Sequence, residues 1–182
     1  SQFFLFDPFV EGQAAFFERF EARSFKATVY MDLKNEETIF QNMDPKNRNM
    51  VRKAKKNGVQ IFSDRGERME DFIRIYEETM RRNQAEEYYY FGRDYFTYLR
   101  EECGEHLIWF YAAYEGKIIS ASLFFYNERF MHYHLSGTLW EYRKLESVNL
   151  LLYEAALWGS RKGIRKLHLG GAVQQIAETY FH

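Results

Sequence analysis

Three histidines, a tyrosine run flanked by arginines, and a dense basic stretch are the residues here whose types and spacing suit chemistry. His132 and His134 stand two apart in an alternating, aromatic-rich segment, so as strand residues they share a face, and His168 belongs to a later short strand pattern. A neutral imidazole suits proton transfer near pH 7, which makes His134 the candidate catalytic residue; for each of the three, the alternative is a hydrogen-bonded strand histidine. Two strand histidines with no third ligand at suitable spacing do not make a metal site, so no metal is expected. No Ser/His/Asp or Cys/His arrangement is legible. The one cysteine, Cys103, lies between Glu102 and Gly104 with acidic neighbours and reads as structural.

Arg81, Arg82 and Arg93 bracket Tyr88-Tyr89-Tyr90-Phe91, and Tyr95 follows. Guanidinium groups beside aromatic rings suit an acceptor that carries phosphate or carboxylate; the alternative is a packed ring cluster at a solvated helix end. The expected substrate contacts are Arg82, Tyr88, Tyr90, Arg93, Tyr95 and Lys144, with Gly170 and Gly171 where backbone must pass close to substrate. Six cations (Lys46, Arg48, Arg52, Lys53, Lys55 and Lys56) crowd the stretch between Asp44-Pro45 and Asn57-Gly58. That density exceeds what solubility needs. Lys46, Arg48, Arg52, Lys55 and Lys56 are the expected contacts to nucleic-acid or lipid phosphates, a solvated face being the alternative.

The elements that must position these residues follow from pattern. A strand is expected at 3–6, a helix at 11–22, a strand at 26–33 and a short helix at 36–42. Asp44 as N-cap, Pro45 at the first helical position and Asn57-Gly58 at the end delimit a helix over 45–57. A strand at 59–62, an amphipathic helix at 67–81 and a further helix at 93–102 come next, with Met69, Phe72, Ile73, Tyr76 and Met80 facing inward on the first of these helices. Strands 107–113 and 117–125 form a hairpin across Glu115-Gly116, and a third strand covers 130–135. Ser147 caps an apolar helix to Lys162, and 166–169 is the last strand. A meander leading into a β-α-β unit predicts an α/β fold with a mixed sheet covered by helices on both faces. Ligands in such sheets sit where strands diverge, beside a helix N-terminus, which here points to the loop 136–146.

The bulk numbers fit one domain over residues 1–182, with 46% apolar and 28% charged residues, and a heavy 19% of aromatic ones that suits either a ring-built core or a ring-lined groove. A net charge of −1 excludes a general affinity for polyanions, leaving only local patches. A single cysteine excludes an internal disulfide, and no apolar run reaches the ~18 residues of a membrane span. The expected location is the cytoplasm, including the inner face of the membrane, with peripheral contact only. Residue 1 is not Met and Phe3-Phe4-Leu5-Phe6 begins in mid-element, as in a piece of something larger.

An ordered set of stretches resembles the FemABX family of peptidoglycan aminoacyltransferases. It comprises Lys46-x-Arg48-x-x-Val51-Arg52-Lys53-Ala54-Lys55-Lys56-Asn57-Gly58, Tyr76-x-x-Thr79-Met80-x-Arg82, Tyr133-His134-Leu135-Ser136-Gly137-Thr138, Asn149-Leu150-Leu151-Leu152-Tyr153-Glu154 and Leu167-His168-Leu169-Gly170-Gly171. The likeness runs from about residue 26 to 175 and is to the second acyltransferase-like domain. It implies a GNAT-like acyltransferase fold in a larger two-domain protein. It also implies transfer of an aminoacyl group from aminoacyl-tRNA, as co-substrate, to an amine of a nucleotide- or lipid-linked muropeptide. The family continues past the glycine pair into a phenylalanine-lysine stretch and a final strand, where this chain reads Gln174-Gln175-Ile176-Ala177-Glu178-Thr179-Tyr180-Phe181-His182.

Two rival readings stand beside this one. An acyl-coenzyme A transferase needs closely spaced glycines ahead of the central helix so that backbone N–H groups reach the pyrophosphate. Arg143-Lys144-Leu145-Glu146-Ser147-Val148 has none, and Glu146 sets a carboxylate beside the phosphates, so coenzyme A is the less favoured donor and no resident cofactor is expected. The third reading is an inactive partial domain that binds a muropeptide or a protein partner.

Overall fold

Glu115 and Gly116 both take positive φ, +50° and +77°, the two-residue turn whose twist matches that of antiparallel strands. It joins β3 (Leu107–Tyr114) to β4 (Lys117–Tyr126). In the computed structural model, which describes residues 28–171, this hairpin lies within a six-stranded mixed sheet. The other strands are β1 (Thr28–Asp32), β2 (Gln60–Asp64), β5 (Phe130–Thr138) and β6 (Lys166–Gly171), in the order β1-β6-β5-β4-β3-β2. Neighbours are antiparallel except β5 and β6. The expected strand 3–6 and helix 11–22 lie outside the described residues.

The helices are α1 (Glu36–Asn42), α2 (Pro45–Lys56), α3 (Met69–Arg82), α4 (Arg93–Cys103) and α5 (Ser147–Arg161). They cover both faces because β3 is apolar on both. Ile108, Phe110 and Ala112 pack in one core with Ile39, Val51, Ala54, Leu150, Leu151 and Ala155, under α1, α2 and α5. Leu107, Trp109 and Tyr111 pack in the other with Phe72, Ile75, Tyr76, Phe96 and Leu99, under α3 and α4. A strand buried on both sides carries a continuous apolar run rather than alternation.

The α2 boundaries follow the expected chemistry: the Asp44 carboxylate accepts from Lys46 N–H at 2.7 Å, and Gly58 takes φ +81° after the C-cap Asn57. Several details differ from expectation. The inward face of α3 includes Ile75 and Thr79 as well as most of the residues read from periodicity. β2 starts at Gln60, because Val59 N–H closes the α2 turn onto Ala54 O. Ser147 does not cap α5. The capping position is Glu146, in the left-handed region at φ +57°, while the Ser147 hydroxyl pairs with Ser120 Oγ at 2.7 Å inside the core. Leu152, Tyr153 and Trp158 on α5 are only partly buried, so that helix is not enclosed all round. Strand β5 runs three residues further than expected, so Ser136–Thr138 is sheet rather than loop and only a 3₁₀ turn, Trp140–Leu145, precedes α5. Among the described residues no helix is long and apolar enough to cross a membrane.

Candidate active site at the parting of two strands

Strands β5 and β6 pair over Phe130↔Lys166, Met131↔Leu167 and His132↔His168 and then part. Beyond that point β5 continues beside β4, and β6 beside β1. Just past the parting, β5 carries a bulge: Leu123 faces Leu135 and Phe124 faces Tyr133, leaving His134 as the extra residue. A bulge re-aims side chains and breaks pairing, which is what a cleft between two strands needs.

His134 is thereby turned toward the α3/α4 face. Its Nε2 lies 3.0 Å from the Tyr95 hydroxyl of α4, and its ring packs edge-on to Phe125 at 4.9 Å. Burial holds the imidazole below its ordinary value of 6.5, so the ring is neutral at pH 7. Burial, then Cys103 and Tyr88, pushes the Tyr95 phenol up, so it keeps its proton. At the last paired register, His132 Nδ1 and His168 Nδ1 lie 2.9 Å apart with nearly parallel rings, so one nitrogen donates and the other accepts. The His132 ring is 6.0 Å from that of His134. The three histidines that were legible in the sequence thus meet at one place.

Aromatic rings lead out from there. Phe91 stacks on Tyr95 at 4.4 Å, Tyr88 meets Phe91 at 6.5 Å, and Tyr88 itself is 71% exposed. Tyr89 is fixed by its backbone carbonyl, which accepts from the Tyr76 hydroxyl at 2.9 Å, and Tyr90 is exposed. Gly170 takes φ +94°, and a Cβ there would meet nothing within 4 Å, so open space adjoins the β6 backbone. Gly171 pairs with Thr28.

The arginines expected to act together are separated. Arg93 is paired with Glu70 at 2.7 Å, at the start of α3, whereas Arg82 is at its end, about 18 Å away along the helix axis. Arg82 donates to Thr138 O at 2.9 Å and lies over the exposed Trp140 ring, whose centroid Arg143 approaches at 4.0 Å. Arg82 therefore ties α3 to the end of β5. Lys144 is exposed on the 3₁₀ turn.

The basic helix is partly occupied by its own fold. Arg48 donates to Gln41 O and Met43 O, closing α1, and Arg52 donates to Asn49 and lies over Phe40. Lys53 pairs with Glu146 and Lys55 with Glu154 of α5. Lys46 and Lys56 stay exposed. The Lys53–Glu146 pair, at 3.2 Å, also compensates the carboxylate ahead of α5 that weighed against a phosphate there, while the absence of glycine stands.

Sequence reasoning did not pair Tyr95 with His134, because their contact spans 39 positions and two elements. It also missed a hydroxyl network in which Ser120 bonds both Thr138 and Ser147, and Thr79 accepts from Thr138 N–H. The nearest signal was the run of small polar residues in otherwise apolar strands. Among the described residues no three His, Cys, Asp or Glu side chains, these histidines included, are placed to hold a metal ion together.

Comparison with known proteins adds to this geometry. A family model described as the FemAB family matches residues 12–116, more than half of the chain. No curated protein matches. Among solved structures, one described as FemX superposes with a TM-score of 0.68 at 13% identity, covering 81% of this chain and 54% of its own. L-PGS from Bacillus licheniformis gives 0.62 at 16% identity, covering 94% and 58%. The aminoglycoside acetyltransferase meta-AAC0020 from an uncultured soil metagenomic sample, in complex with sisomicin, gives 0.54 at 12%, covering 68% and 88%. This chain thus spans about half the length of FemX, and at such identities the likeness is one of fold: the GNAT-like acyltransferase sheet.

Proposed function

This chain belongs to the FemAB family, and on that premise we propose that it is an aminoacyltransferase domain. The reaction is transfer of an aminoacyl group from aminoacyl-tRNA to an amine of a peptidoglycan precursor, as part of a larger two-domain protein. The observation that carries the reading is a neutral, half-buried His134 at the mouth of the β5–β6 parting, held by Tyr95 and approached by a line of aromatic rings.

The chemistry asks little more of the protein. The amine attacks the ester carbonyl, a C–N bond forms as the ester C–O bond breaks, and the amine's surplus proton passes through a base to the departing ribose oxygen. His134 serves as that base in the tautomer whose Nε2–H donates to the Tyr95 oxygen, which leaves Nδ1 free to accept the proton. Tyr88, Tyr90 and Tyr95 line the approach of the acceptor, and the open backbone at Gly170, next to Gly171, admits its peptide. Arg82 and Lys144 flank the entry, Arg93 adds a cation on the α3/α4 face, and on the opposite face Lys46, Arg48, Arg52, Lys55 and Lys56 form outlying positive surface for tRNA or lipid phosphates. The full-length parent protein, given charged tRNA and a nucleotide- or lipid-linked muropeptide, should yield a peptide longer by one residue by mass spectrometry. An unextended muropeptide with every charged tRNA would overturn the reading.

A second reading, coenzyme A-dependent acyl transfer, is favoured by one observation: Lys53 compensates Glu146 ahead of α5. Calorimetry with acetyl-coenzyme A decides between them, since tight binding supports this donor and no heat removes it.

A further inference from the structure

A cavity of about 310 Å³ lies between β1, α1, α2 and α5, on the opposite face of the sheet from the histidines. Its walls are largely apolar, formed by Met31, Ile39, Leu152 and Leu169 among others, yet Asn47 of α2 and Asn149 of α5 also line it. Asn47 is only 4% exposed, and no described residue hydrogen-bonds its side-chain amide. The Asn149 amide is likewise without a partner among the described residues. Neither amide is both cut off from solvent and unpaired, so both remain available to a ligand that enters the cavity.

The lining also says what that ligand is. Its charged residues are Asp32 and Asp44, with no Lys, Arg or His among the described ones, which disfavours phosphate and carboxylate ligands. A carboxamide offers two donors and an acceptor, the complement of a peptide group. The volume is at the small end for ligand sites, enough for one amino-acid unit rather than a long peptide. We propose that this cavity binds a short uncharged peptide-like ligand, with its apolar side chain in the cavity and its amide bonded to Asn47 and Asn149. The site uses no residue of the His134 cleft, so it stands whether or not the transfer reading holds.

The test is a titration of N-acetyl-L-leucinamide into the ¹⁵N-labelled full chain, following the side-chain amide resonances of Asn47 and Asn149 by NMR. Saturable shifts of both at millimolar ligand are expected, with none on adding inorganic phosphate. Asn47→Leu should bind about tenfold more weakly, the loss of one hydrogen bond, without a lower unfolding temperature, since an apolar side chain of similar shape replaces an unpaired amide. Asn149→Leu, at a half-buried position, is the second variant if Asn47→Leu does not fold. Absent shifts, phosphate-induced shifts at these two residues, or unchanged affinity in the folded variant would each overturn the proposal.

Discussion

Replacing Gly137 by alanine tests how closely the site is held. A Cβ at this position would lie 2.8 Å from Ile75 O and 2.9 Å from both Ile75 C and Tyr76 Cα. All three are backbone atoms of a helix and cannot rotate away. Relieving contacts that short to ordinary separations of roughly 3.5 Å requires α3 to move off β5 by roughly half an ångström. The motion falls on bonds that join the same two elements: Thr138 N–H to Thr79 Oγ1 at 2.9 Å and Arg82 to Thr138 O at 2.9 Å. Overpacking of about 1–3 kcal/mol plus about 1 kcal/mol for a weakened buried bond gives roughly 3 kcal/mol. For a chain of this size that lowers Tm by roughly 6–12 °C. The control is the same chemical change at Gly104, where φ is −54° and ψ −33° and a Cβ meets nothing within 4 Å. Gly104→Ala should raise Tm by about 1–4 °C by restricting the unfolded chain. Thermal unfolding by circular dichroism reads both. If Gly137→Ala melts within a degree of the parent while Gly104→Ala behaves as expected, α3 does not rest on β5 as described and the support for the cleft is wrong.

Three other outcomes follow from the site and its surroundings. For the proposed transfer, His134→Gln should lower kcat by about 10²–10⁴-fold with little change in KM, and Tyr95→Phe by less, with the acid limb of the pH–rate profile displaced; an unchanged kcat in His134→Gln removes the base. Because the His134 value in the folded chain is below the ordinary 6.5, the unfolded chain binds more protons as pH falls below that value. Stability present above 6.5 is then lost as pH drops toward the folded-state value, and chemical denaturation at a series of pH values should show a smaller slope there in His134→Gln. Asp44→Ala removes the carboxylate that accepts from Lys46 N–H and should cost about 1 kcal/mol, read as a lower urea midpoint with unchanged m-value.

What was legible in advance was what local chemistry controls. Proline, aspartate and glycine at the ends of α2 state their roles through their own φ preferences and side-chain reach, and the structure places that helix where they indicate. The Glu115-Gly116 turn similarly announced the hairpin of β3 and β4. Ser147 misled for a matching reason: as a type it suits an N-cap, but its hydroxyl found Ser120 across the core, a competitor no local rule includes. The separate settings of Arg82 and Arg93 were not legible because charge type is visible in a sequence and the partner is not; Glu70 holds Arg93, and Thr138 with Trp140 holds Arg82.

The sequence by itself determined the order of elements, the mixed sheet with helices on both faces and the family, because these depend on periodicity, turn chemistry and an ordered set of motifs along the chain. It also named the three histidines. Only the tertiary structure decided that they meet at the parting of β5 and β6, that a bulge turns His134 onto Tyr95, and that burial keeps its ring neutral. A bulge is a mismatch between two strands, and a pKa is a property of surroundings. Neither exists until residues far apart in the chain have packed.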